Sequence, residues 1–140
     1  MKKLFLILIF VVSSFAFDWT GKVNWAMNYE SAKVISAQTH KPIFVDIALS
    51  NCPPCHWISK NIYTDKKIAD FINKNFVPVL IIADVDGGVP KEVANYFSGY
   101  TPSFIIMNAR GRQITQFSFD RAFLSNKYKF IDYLKQGLLK

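Results

Sequence analysis

Residues 50–57 read Ser-Asn-Cys-Pro-Pro-Cys-His-Trp, and Cys52 and Cys55 are the only cysteines of the chain. Two chemistries fit this spacing. C-x-x-C is the pattern of a thiol–disulfide redox pair; with His56 directly after it, C-x-x-C-H is also the attachment pattern of a c-type haem. A disulfide between two cysteines this close would shut a very small loop and restrain the unfolded chain little. The pair is therefore better suited to reaction than to stapling. A reactive cysteine works as a thiolate, and the free N–H groups and positive dipole end of a helix N-terminus lower its pKa.

The flanking residues supply such a terminus. Ile43–Leu49 (IFVDIAL) is a β-rich apolar run, read as a strand buried on both faces. The segment after it, PPCHWISKNIY, is read as a helix with Pro53 tolerated in its first turn. Cys52 then falls at, or just before, the first helical residue, and Cys55 one turn deeper, within bridging reach and acting second. Pro53 and Pro54 stiffen the turn and leave fewer N–H groups for the sulfur, which makes them candidates for tuning the redox balance. Asp46 interrupts the apolar strand. It is either a polar residue at a sheet edge or a buried carboxyl of raised pKa, placed to take a proton from the second thiol.

The remaining pattern alternates. A helix from Asn28 places Tyr29, Ala32 and Ile35 at helical spacing. Thr64 or Asp65 caps a helix with Ile68, Phe71 and Ile72 on its apolar face. Val77–Ala83 is a second strand and residues 91–97 a short helix. Ser103–Met107 and Gln113–Phe119 form an antiparallel hairpin around the turn Asn108–Gly111. Ile131, Leu134 and Leu138 mark a C-terminal helix. The β-α-β portion requires a right-handed crossover and parallel strands, so the expected fold is one α/β domain with a mixed, mainly four-stranded sheet and helices on both faces.

Length and composition agree with this. One domain fits 140 residues, and 51% hydrophobic residues with thirteen Phe exclude a disordered chain. Lys2 and Lys3, the apolar run Leu4–Val12 and the small residues Ser14 and Ala16 read as a signal peptide over residues 1–16, cleaved before a mature domain at 17–140. The alternative is a retained anchor, for which the apolar run is short. Cleavage lowers the formal charge from +7 to +5. With no basic cluster, nucleic acid is not an expected partner. Export places the cysteines in an oxidising compartment.

The chain resembles the exported, single-domain members of the thioredoxin fold. FVDIALSNCPPCHW is similar to the thioredoxin active-site strand and motif. GYTPSF, Gly99–Phe104, is similar to the loop that holds the fold's cis-proline, here Pro102. IIMNARGRQI matches the hairpin after it, and DKKIADFINKNFVPV resembles periplasmic thiol:disulfide interchange proteins. The resemblance runs from about Trp25 to the C-terminus. It implies a three-layer sandwich in which Cys52 attacks, Cys55 resolves, Asp46 assists Cys55, and Thr101 and Pro102 hold an extended substrate segment. Asn51 stands where thioredoxin itself has Trp, and Pro-Pro where it has Gly-Pro.

The haem reading requires His56 as proximal ligand and a distal partner from His40, Met27 or Met107. Four strands fit it poorly. Cys52, Cys55 and His56 are also one ligand short of a structural zinc site. The expectation is therefore a periplasmic thiol–disulfide oxidoreductase, monomeric, with no cofactor beyond a Cys52–Cys55 disulfide and no metal. It would act as a reductase on disulfides of partner proteins and take electrons from a membrane thiol carrier. The alternatives are a disulfide donor of the same fold, a c-type electron carrier, and a binding module whose disulfide is only structural. His56 would tune the pair or face solvent.

Overall fold

A computed structural model of the chain describes residues 16–139. The expected leader lies outside the described residues, apart from Ala16. The elements are α1 (Tyr29–Thr39), β1 (Ile43–Ala48), α2 (Pro53–Asn61), α3 (Lys66–Asn75), β2 (Val77–Ile82), α4 (Lys91–Ala94), β3 (Ser103–Met107), β4 (Gln113–Ser118), α5 (Ala122–Ser125) and α6 (Lys129–Lys135), with a 3-10 turn at Gln136–Leu138. The sheet order is β2-β1-β3-β4. β1 runs parallel to β2 and antiparallel to β3, which pairs antiparallel with β4.

Side chains of β1 alternate between two cores, as the pleat requires. Ile43, Val45 and Ile47 pack with Tyr29 and Ala32 of α1 and Val93 of α4. Phe44, on the other face, packs with Ile58 of α2, Ile68 and Ile72 of α3, Phe123 of α5 and Phe130 of α6. This is the three-layer α/β sandwich. Aromatic residues fill the second core: Phe44 and Phe104 stack at 6.0 Å between ring centres, and Phe130 meets Phe104 edge-on at 5.1 Å. Each fully buried Phe contributes about 1.5–3 kcal/mol relative to exposure.

Where the elements differ from expectation, the reason is local. Ile35 is exposed, and Ser36 takes the inward position after Tyr29 and Ala32, its hydroxyl donating to the Lys41 carbonyl at 2.6 Å. Of the two candidate caps for α3, Asp65 is the one, accepting from the Ile68 N–H at 3.1 Å. The helix expected over 91–97 stops after Ala94, leaving only Val93 of it buried. At the C-terminus Phe130 joins Ile131 and Leu134 in the core, whereas Leu138 turns outward because the chain tightens into a 3-10 turn.

β1 is central and all six of its residues are buried. Asp46 is therefore not a sheet-edge residue. Sheet pairing places it between Leu80 of β2 and Phe104 of β3.

Candidate active site

β1 ends at Ala48, and the next residues turn into α2. Ser50 fixes this turn: its N–H donates to Asp84 Oδ1 at 2.8 Å and its hydroxyl also bonds the Asp84 carboxylate. Cys52 is the N-cap of α2, in extended backbone, and Pro53 and Pro54 open the helix. Neither proline has an N–H. Among the first three helical positions only Cys55 can offer one, and it donates to Cys52 Sγ at 3.3 Å. Cys52 and Cys55 are joined in a disulfide.

A second donor reaches the same sulfur from across the site. The Thr101 hydroxyl lies 3.4 Å from Cys52 Sγ. Thr101 precedes Pro102 through a cis peptide bond, at the start of β3. Residues 49 apart in sequence thus meet at one sulfur. Two hydrogen-bond donors and a helix N-terminus converge on Cys52, and all three favour its thiolate over its thiol.

Asp46 shares its face of β1 with Phe44 and Ala48. Phe44 belongs to the aromatic core, and Ala48 packs against Cys52 and Cys55. The acid therefore lies between the core and the cysteines. Its Oδ2 accepts a 2.5 Å hydrogen bond from the Tyr63 hydroxyl, while Oδ1 is buried with no partner among the described residues. Burial pushes the Asp46 carboxyl up to about 7, and the Tyr63 hydrogen bond opposes that rise. At neutral pH this carboxyl can hold or release a proton, as a general base requires.

Two features were not visible in the sequence reading. Tyr63, the partner of Asp46, lies just past α2, and no periodicity links the two. The other is the segment Phe17–Gly21, which covers the cysteines. Trp19 packs against Cys52 and Cys55. Phe17 stacks on the His56 ring at 4.3 Å, and Trp19 meets that ring edge-on at 4.9 Å. His56 Nε2 lies 2.8 Å from the Ser50 carbonyl, which can only accept, so this nitrogen carries a proton. Gly21 lets the segment pass: its φ is +54°, and a Cβ there would come within 2.5 Å of the Tyr63 backbone. With this cover in place Cys52 is 5% exposed and Cys55 3%.

The distal ligands considered for a haem are not gathered here. Met107 is buried on the opposite face of the sheet, its sulfur 3.8 Å from the Tyr29 hydroxyl. His40 caps α1 before β1 begins, so the length of β1, about 20 Å, separates it from Cys52. Met27 is exposed. Among the described residues no group of three or more His, Cys, Asp or Glu side chains is arranged to hold a metal ion.

Comparison with known proteins identifies the family and the fold. A model for a thioredoxin-like family, Thioredox_DsbH, described as a protein of unknown function (DUF255), matches residues 13–98. The matched stretch contains Asp46, Cys52 and Cys55 and ends before Thr101. No curated protein sequence matches the chain. Among solved structures, one described as DsbH oxidoreductase superposes with a TM-score of 0.59 at 20% identity, covering 81% of this chain and 87% of that one. A candidate disulphide-isomerase from Bacteroides thetaiotaomicron gives 0.68 at 20% identity, with 85% and 95% covered. A thioredoxin from Thermus thermophilus gives 0.58 at 18%, with 79% and 88% covered. At these identities the structures establish the shared fold.

Proposed function

The chain belongs to the thioredoxin-like DsbH family and is a thiol–disulfide oxidoreductase, and from that premise we propose that it is an exported reductase of disulfides in partner proteins. The cycle begins with both cysteines reduced. The Cys52 thiolate attacks one sulfur of the partner's disulfide; that S–S bond breaks, a partner thiolate leaves, and a mixed disulfide forms. Cys55 passes its proton to Asp46 and attacks Cys52. The mixed disulfide breaks, the second partner thiolate departs, and Cys52–Cys55 is oxidised. Two electrons have then passed to the partner. A membrane thiol carrier returns them in the periplasm.

The observation that carries this reading is the position of Asp46: buried, on the cysteines' face of β1, with one oxygen unpartnered. A proton acceptor behind the resolving cysteine serves release of a reduced partner. Thr101 and Pro102 supply the backbone against which an extended substrate segment docks, and Tyr100, 79% exposed, stands beside them. Pro53, Pro54 and His56 adjust the potential through the first turn of α2.

The test is the thiol state of the protein in the cell. The full chain is expressed with its own N-terminus in a Gram-negative host, quenched in acid, and alkylated with a mass tag. The expected result is a periplasmic protein that begins near Phe17 and carries mainly reduced cysteines. A pair that is wholly oxidised at steady state, or a protein retained in the cytoplasm, contradicts the proposal.

A further inference from the structure

Among the buried titratable groups that the mechanism above leaves unused, one bonds directly to Asp46. Tyr63 is fully buried just past the end of α2, and its hydroxyl is 2.5 Å from Asp46 Oδ2. Its place is fixed from three sides. The Tyr63 carbonyl accepts from the Lys22 N–H at 2.7 Å, and Trp25 and Phe130 both meet its ring edge-on. A phenol held this firmly donates to one carboxylate oxygen and leaves the other, Oδ1, as the oxygen able to exchange a proton.

We propose that Tyr63 is the positioning residue of the proton relay: its hydrogen bond to Oδ2 orients the Asp46 carboxyl, stabilises the carboxylate, and so sets the pH at which Cys55 resolves the mixed disulfide. This inference rests on Asp46 acting as the base for Cys55. The chemistry is one-directional. A phenolic donor favours the ionised carboxylate, whereas burial favours the protonated acid. Burial alone would hold Asp46 protonated to higher pH, and a protonated acid cannot take the Cys55 proton. The hydrogen bond offsets part of that burial. Tyr63 itself stays protonated, because burial and the Asp46 charge both raise its pKa well above 10.

Among the described residues no charged side chain is paired with Asp46. Its neighbours across the sheet are Leu80 and Phe104. From α2 come the cysteines, packed on Ala48, the next residue on this face. Tyr63 is the one titratable side chain among the described residues with a hydrogen bond to it. A single hydroxyl therefore controls the titration.

The experiment is the pH dependence of mixed-disulfide resolution, followed by rapid mixing of full-length reduced protein with a disulfide-containing peptide. It uses wild type, Tyr63→Phe, Asp46→Asn and the double variant. Tyr63→Phe removes one oxygen and keeps the ring. The expected result is a midpoint moved upward by about one to two pH units, the scale of one hydrogen bond to a charged group. In the Asp46→Asn background the same substitution has no effect on the profile. An unchanged midpoint in Tyr63→Phe, with the profile lost in Asp46→Asn, overturns the role of Tyr63 and leaves that of Asp46 intact. A profile that survives Asp46→Asn removes the base itself, and the inference with it. Carboxyl 13C NMR of the oxidised protein reads the Asp46 titration without turnover and must show the same upward shift. Biosynthetic replacement of tyrosine by a fluorinated, more acidic analogue keeps the phenol and must move the midpoint downward.

Discussion

Cys55→Ser converts the protein into a trap. Cys52 keeps its position as N-cap of α2 and keeps the Thr101 hydroxyl as a donor, so attack on a partner disulfide proceeds. The mixed disulfide then has no internal nucleophile to break it. Turnover falls by at least about 10³-fold, the scale on which losing a reacting nucleophile stops an enzyme. The covalent partner complex accumulates in proportion to the protein present. Non-reducing electrophoresis of the exported fraction should show it, and mass spectrometry of the trapped band identifies the substrate. Cys52→Ser should show neither turnover nor trapping. Trapping by Cys52→Ser and not by Cys55→Ser would mean that the order of the two cysteines is reversed.

Asp46→Asn should make the protein more stable at neutral pH while it impairs the reaction. An ordinary aspartate in the unfolded chain ionises near 3.8, whereas burial raises the folded value to about 7. Between these values the folded state holds a proton that the unfolded state has released. Folding stability therefore falls as pH rises through that window and levels off above it. The penalty at full ionisation is of the order of 4 kcal/mol, and the part incurred between about pH 5 and about pH 8 is roughly 2–3 kcal/mol. In Asp46→Asn this loss disappears. Urea unfolding of the oxidised wild type and variant at the two pH values measures it. A wild-type stability that changes no more than the variant's would show that Asp46 ionises in the folded protein as it does in water.

Much of this site could be read in advance because it is written in contiguous residues. The apolar run of β1, the two prolines and the cysteine spacing together define a strand, a turn and a helix N-terminus. Asp46 stood out for the same reason, as the one acid in a buried strand. Pro102 was reached through its similarity to a known loop; nothing local to residues 99–104 says that Thr101 comes to Cys52. The Asp46–Tyr63 bond and the Phe17–His56–Trp19 stack depend on how α2 and the N-terminal segment lie against the sheet. Tertiary packing sets these contacts, and single-sequence periodicity does not carry them. α5 was missed because it has four residues, and no side chain caps it. Ile35 and Ser36 exchanged roles because hydrophobicity alone suggested the inward residue, whereas the serine gains a carbonyl partner inside.

The reduction potential of the Cys52–Cys55 pair tests the central claim most directly, measured on full-length protein against glutathione or dithiothreitol buffers. A pair that passes electrons to partner disulfides should lie near the thioredoxin value, roughly −270 mV. A potential near −120 mV, the strongly oxidising end of the range, would make the protein a disulfide donor and contradict the reductase assignment.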